Sequence, residues 1–113
     1  MKFYKEGKAI LEAVKGESES LQEIKVRGED ASLEKHVPQV KIEGNIVTVT
    51  VGSILHPMEE NHYIEFIEIE TKNGIQRRYL KPGDKPEAKF VLINDEFVKA
   101  YESCNLHGMW DGK

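Results

Sequence analysis

One cysteine and four histidines are the residues of this sequence whose types favour metal chemistry: Cys104, His36, His56, His62 and His107. A single cysteine excludes an intrachain disulfide, a Cys-x-x-Cys site and a four-cysteine zinc or iron centre within one chain. All five residues fall at the ends of predicted strands or in loops, where binding residues commonly lie. One shared metal site therefore explains the set better than five unrelated surface residues.

The number of candidate ligands bears on which metal they would bind. A structural zinc ion usually has four protein ligands, so one of the five candidates would be surplus. Blue copper uses two histidines, one cysteine and a weak axial ligand, for which Met58 or Met109 could serve, but two histidines would then be idle. Iron(II) accepts five or six ligands, and a thiolate opposite an open position pushes electron density onto the molecule that binds there. Iron is therefore the favoured metal.

The three segments that carry these residues resemble the signature segments of superoxide reductases, the desulfoferrodoxin and neelaredoxin family. They read Glu34-Lys-His-Val-Pro38, His56-Pro-Met-Glu-Glu-Asn-His62 and Cys104-Asn-Leu-His107-Gly-Met-Trp110. The resemblance spans roughly residues 31–113, which is most of the chain. It implies an enzyme that reduces superoxide by one electron to hydrogen peroxide at a mononuclear non-heme iron.

The resemblance also implies roles for single residues. The implied ligands of one iron per subunit are four equatorial imidazoles and one axial thiolate: His36, His56, His62, His107 and Cys104. Glu34 is implied as the sixth ligand of the ferric state, and Lys35 as the cation beside the open site. The same ligands would suit a non-catalytic iron electron carrier or sensor, which is the alternative function. A third interpretation is an interaction domain that binds adventitious zinc.

The composition is typical of an ordinary globular domain. The chain has 113 residues, with 16 Lys and Arg against 20 Asp and Glu, a formal net charge of −4. This mild acidity does not provide the basic surface that nucleic-acid binding requires. No apolar run is long enough to span a membrane. The N-terminus lacks the apolar region of a secretory signal. We therefore expect a cytoplasmic protein without nucleic-acid or membrane partners.

Two partners besides superoxide are expected. The resemblance implies a rubredoxin-like protein as the electron donor. An exposed apolar face on so small a domain favours a homo-oligomer, either a dimer or a tetramer.

The elements that must position the five residues are predicted to be β-strands. From Pro38 onward, short β-branched runs alternate with turn signals such as Gly44-Asn45 and Asn73-Gly74. About seven strands at this spacing predict an all-β, antiparallel sandwich, and the resemblance implies that it is immunoglobulin-like. Phe66 and Ile67 are adjacent apolar residues in one predicted strand, which indicates a bulge or a face buried against a second chain.

The chain divides near residue 33, because the first part is only weakly patterned. Ile10, Leu11 and Val14 have helical spacing, but the same stretch could pair as a strand with residues 2–5. The resemblance implies that residues 1–33 are a small desulforedoxin-like remnant. That module binds iron through four cysteines, so this cysteine-free segment would lack the metal. Residues 34–113 would form the iron-binding superoxide reductase domain.

Overall fold

The computed structural model of the chain describes residues 1–30 and 35–112. The regular secondary structure in these ranges consists of β-strands. No helix in the described ranges is long and apolar enough to cross a membrane. In chain order the strands are β1 (Lys2–Glu6), β2 (Ala9–Ala13), β3 (Gln22–Ile24), β4 (Val26–Arg27), β5 (Pro38–Glu43), β6 (Ile46–Val51), β7 (Ile64–Thr71), β8 (Gly74–Tyr79), β9 (Glu87–Val91), β10 (Phe97–Cys104) and β11 (Gly108–Gly112).

Two of the three sheets form a sandwich around the main core. One has the strand order β5-β6-β9 and the other β4-β11-β10-β7-β8. Val47, Val49 and Val51 of β6 are fully buried against Ile67 and Ile69 of β7. These valines alternate with less buried residues because successive side chains of a strand point to opposite faces. The predicted all-β sandwich is confirmed, with one parallel pair, β4 with β11, among its antiparallel neighbours.

The N-terminal segment forms a third sheet, of order β2-β1-β3, rather than a helix. β1 and β2 pair antiparallel from Lys2 and Ala13 to Glu6 and Ala9. The turn between them contains Gly7 at φ +59°, a conformation that favours glycine. The strand-pair alternative is therefore the correct one. β4, although it precedes residue 33, pairs with β11 of the sandwich, and the division into two domains at residue 33 stays a prediction.

β7 is buried on both faces, which explains its adjacent apolar residues. Ile67 belongs to the sandwich core, whereas Phe66 packs with Phe3, Tyr101 and Met109 in a second cluster. The register of β7 with β10 runs through both residues without a shift, so no bulge separates them. The expectation that a second chain covers the Phe66 face of β7 is wrong, because the N-terminal sheet of the same chain covers that face.

Candidate metal centre

The pairing registers of the sandwich bring distant parts of the sequence to one end of the fold. Pro38 at the start of β5 pairs with Val51 at the end of β6. Cys104 at the end of β10 pairs with Ile64 at the start of β7 and with Gly108 at the start of β11. Each of these strand ends lies within a few residues of a predicted ligand. Strand pairing therefore gathers the five predicted ligands from three separate segments.

The four imidazoles form a closed ring of neighbours. The ring centroids of His36 and His56 are 4.8 Å apart, and those of His56 and His62 are 4.9 Å apart. The circuit continues with 5.2 Å from His62 to His107 and 5.0 Å from His107 back to His36. The structure thus brings all four predicted histidines together around a common centre.

Cys104 lies where the two halves of this ring meet. Its Sγ is within 4.8 Å of ligand atoms of His36 and His56, and also within 4.8 Å of ligand atoms of His62 and His107. The Sγ to His107 Nδ1 distance is 3.9 Å. Four imidazoles and one thiol converge on a volume that one metal ion could fill.

Backbone hydrogen bonds fix two of the histidines locally. The His56 N–H donates to the Val51 carbonyl at 2.8 Å, and its Nδ1 lies 2.8 Å from the Pro57 carbonyl. A proton on Nδ1 donated to that carbonyl leaves Nε2 as the ligand atom. His62 and Glu59 exchange two backbone hydrogen bonds, at 2.9 and 3.1 Å. These contacts fix the ring of His56 and the backbone at His62.

Exposure differs across the cluster, so one side of it faces solvent. His36, His56 and Cys104 are buried, each no more than 4% exposed. His62 is half-buried and His107 is exposed. The cluster is therefore open to solvent on the His62 and His107 side and shielded on the side of His36 and His56.

His36 has two neighbours besides the predicted ligands: Trp110, which lies in the third signature segment, and Glu102, which the sequence did not indicate as functional. The indole of Trp110 stacks on its ring at 4.6 Å and 9°, and Trp110 Nε1 donates to the His107 carbonyl at 3.2 Å. Glu102, which is fully buried, places Oε2 3.4 Å from His36 Nδ1. A carboxylate beside the second nitrogen of a ligating histidine fixes its tautomer and raises its basicity. The only sequence signal for Glu102 is a charged residue inside a predicted strand.

The structure describes only one of the two predicted catalytic residues, Lys35. Lys35 is half-buried and directly precedes His36, so it lies beside the cluster. Its backbone carbonyl packs closely against Gly52, where a Cβ would come within 2.6 Å of it. Glu34 lies outside the described residues.

The donor set fits a borderline transition metal. Imidazole nitrogens suit zinc, copper and iron, a thiolate suits the softer ions, and five donors exceed the usual four of structural zinc. A metal-bound histidine commonly has a carboxylate beside its second ring nitrogen, as His36 has in the buried Glu102. The residues therefore fit one iron.

Comparison with known proteins identifies the family. The desulfoferrodoxin family model matches residues 28–113, which include all three predicted segments. The chain belongs to the desulfoferrodoxin family. The family predicted from the motifs is thus confirmed.

Individual relatives agree with this family assignment. A desulfoferrodoxin homolog of Archaeoglobus fulgidus is 48% identical over 95 residues, 84% of this chain and 74% of that protein. The desulfoferrodoxin of Nitratidesulfovibrio vulgaris is 51% identical over 81 residues, 72% of this chain but only 64% of that protein. The crystal structure of the superoxide reductase from Treponema pallidum has a TM-score of 0.76 and 40% identity, covering 95% of this chain and 81% of that one. The prediction of an enzyme of the superoxide reductase family is confirmed.

Replacing Glu102 by glutamine is expected to weaken iron binding about 10-fold, because removing an outer-shell partner of a ligating histidine typically costs that much. The change removes the charge that favours one His36 tautomer and keeps the side-chain volume. Competition with a chelator under anaerobic conditions measures the affinity. Glu70→Gln is the control, since Glu70 accepts a hydrogen bond from Tyr101, at 3.0 Å, instead of contacting a predicted ligand. Equal affinities of the two variants would contradict the role of Glu102.

Proposed function

We propose that this chain is a superoxide reductase that converts superoxide to hydrogen peroxide at one bound iron. The proposed ligands are the four imidazoles and the thiolate of the cluster: His36, His56, His62, His107 and Cys104. The observation that carries the proposal is the closed ring of imidazoles with the Cys104 Sγ within 4.8 Å of ligand atoms from both of its halves. An iron ion bound here would supply one electron to each superoxide, and two protons from water complete hydrogen peroxide.

The charges around the cluster favour an anionic substrate. A divalent iron ion with one thiolate and neutral imidazoles would have a charge of +2 − 1 = +1, which the buried Glu102 carboxylate beside His36 would partly offset on the buried side. Lys35 adds a further positive charge next to His36. The local field attracts superoxide to the cluster although the chain carries a net charge of −4, because nearby charges outweigh distant ones in screened solvent.

The burial pattern assigns separate tasks to the two sides of the cluster. Buried His36 and His56 hold their side of the centre away from water, with their orientation fixed by Glu102 and by the Pro57 carbonyl. The side of His62 and His107 admits superoxide and the water that delivers protons. Glu34 as the ligand of the ferric state stays a prediction, as do the rubredoxin-like donor, the homo-oligomer and the cytoplasmic location.

Anaerobically reduced protein with stoichiometric iron, mixed with pulse-generated superoxide, tests the function. We expect superoxide to disappear faster than it dismutates, with peroxide formed and no dioxygen released. Iron that can be oxidised and reduced without accelerating superoxide decay would instead favour the electron carrier or sensor. A protein that takes up zinc and no iron would exclude both interpretations.

Replacing Lys35 by alanine is expected to slow the second-order reaction with superoxide about tenfold, because electrostatic steering typically contributes 10- to 1,000-fold to association rates. The salt dependence of this rate should also fall, since screening acts on the charge that the variant removes. Lys72→Ala is the matched control, because Lys72 is exposed and directly follows Thr71, the end of β7 that is remote from the cluster. An unchanged rate in the Lys35 variant would rule out the steering role.

A further inference from the structure

We propose that Asp30 is a positioning residue of the metal centre, which fixes the backbone that carries His36. This inference rests on the proposed function, because the position of His36 matters in this way only if His36 is a ligand. It assigns a task to the segment before residue 33, which has no cysteine and none of the proposed ligands.

The contact is made by a single carboxylate oxygen. Asp30 Oδ1 accepts the backbone N–H of His36 at 2.7 Å and that of Val37 at 3.0 Å. Hydrogen bonds to an ionised acceptor are about twice as strong as those between neutral groups. Two donors from consecutive residues on one oxygen fix the direction of the peptide that joins them. These two hydrogen bonds therefore fix the position of the His36 backbone.

Two glycines confine the same segment on either side of these hydrogen bonds. A Cβ at Gly52 would meet the Lys35 carbonyl oxygen at 2.6 Å, and a Cβ at Gly112 would collide with the Pro38 carbonyl oxygen. The absence of side chains at these positions lets the backbone of residues 35–38 pack against β6 and β11. Asp30 thus adds two hydrogen bonds to a segment whose backbone is already in close contact with both glycines.

The position of Asp30 is itself tied to the strand that follows His107. β4 ends at Arg27, and it pairs in parallel with β11 through Val26 with Met109 and Arg27 with Trp110. A Cβ at Gly28 would come within 2.9 Å of Asp111 Oδ1, so the chain also stays close to β11 there. Only one residue, Glu29, separates Gly28 from Asp30. The carboxylate is therefore placed by the strand that also carries the indole stacked on His36.

Without this carboxylate, the His36 segment would lose its two backbone hydrogen bonds while the ring remained stacked on Trp110. Small backbone shifts at a ligand misplace the donor atom, and ligand placement sets metal affinity. The effect should therefore appear in iron binding beyond any general loss of stability.

The test compares Asp30→Ala, Asp30→Asn and Asp30→Glu in the full chain, with Fe²⁺ affinity measured by chelator competition and apo-protein stability by urea unfolding. We expect Asp30→Ala to lower Fe²⁺ affinity about 10-fold, as the loss of an outer-shell hydrogen bond does at other centres. Asp30→Asn keeps an acceptor oxygen in the same place and should retain most of the affinity. Asp30→Glu moves the acceptor by one methylene, and it should weaken iron binding even if the alanine variant does not fold.

Asp95→Ala is the matched control. Asp95 Oδ1 also accepts two backbone N–H groups, from Asn73 at 3.0 Å and Glu96 at 2.8 Å, near the opposite ends of β7 and β10 from Cys104. This variant should lose comparable stability and keep its Fe²⁺ affinity. Unchanged affinity in Asp30→Ala and Asp30→Glu, or equal losses in Asp30→Asn and Asp30→Ala, would overturn the inference. If the wild-type chain binds no iron, the proposed function fails instead, and the wild-type measurement alone shows it.

Discussion

Replacing Cys104 by serine is expected to reduce superoxide consumption to the background rate of spontaneous dismutation. Cys104 is the sole thiol of the chain, and its Sγ is the donor atom common to both halves of the imidazole ring. A serine hydroxyl at this position is a harder and far less basic donor than a thiolate, so it pushes little electron density onto iron. Iron affinity should fall by more than about 100-fold, because losing even an outer-shell partner costs 10- to 100-fold.

Three measurements check this prediction: superoxide decay, iron content and the visible spectrum of the oxidised protein. The thiolate-to-iron charge-transfer band expected of the wild type should be absent from the variant. Ser103→Ala is the control, since Ser103 is the buried neighbour on β10 and its hydroxyl donates to Glu65 at 3.0 Å. Wild-type superoxide reduction in the Cys104 variant would contradict the assignment of the thiolate.

Replacing Arg77 by methionine is expected to destabilise the protein by about 3–5 kcal/mol, the usual result of removing one partner of a buried ion pair. The Arg77 guanidinium donates to the fully buried Glu68 and to Glu12 of β2, the latter at 2.6 Å, and to the Ile10 carbonyl at 3.1 Å. The pKa of Glu68 is raised above its ordinary value, because burial outweighs the opposing hydrogen bond and charge of Arg77. Without Arg77, the Glu68 carboxylate would remain in the interior without its compensating cation.

Urea unfolding measures this change, and the double variant Arg77→Met with Glu68→Met isolates its cause. We expect the double variant to recover most of the lost stability, because replacing a whole buried pair by apolar side chains is often neutral. Arg78→Met is the control on the same strand, where the side chain is exposed. An exposed ion pair contributes at most about 1 kcal/mol to the free energy of unfolding. A smaller loss than this in Arg77→Met would therefore contradict the role of Arg77 as the partner of a buried charge.

The Arg77 contacts explain how the N-terminal sheet is held against the sandwich. The guanidinium carbon lies 3.9 Å from the centre of the Phe66 ring, so a cation–π contact adds to the two carboxylates and the backbone carbonyl. Phe3 and Tyr101 pack edge to face beside it at 4.8 Å. Apolar packing and the largely buried Arg77 therefore hold this sheet against β7 and β8, while a desulforedoxin-like origin of the segment stays a prediction.

The sequence by itself determined the candidate ligands and the class of fold. One thiol and four imidazoles outside the predicted strand interiors define a donor set by their chemistry alone, whatever their distances. The β-branched runs and the turn signals of residues 38–104 predict a sandwich because side-chain alternation and turn conformations are local properties. The order of the three motifs was sufficient to indicate the family.

Only the tertiary structure decided which other residues support those ligands. Glu102 contacts His36 across 66 positions of sequence, and Arg77 reaches Glu12 across 65, so no local pattern could reveal either pair. The second apolar face of β7 indicated a partner surface, but only the fold shows that the chain's own N-terminal sheet covers it. Asp30 is an ordinary loop residue until strand pairing fixes β4 beside β11 and brings its carboxylate under His36. These roles depend on strand register between distant segments, which sequence periodicity does not encode.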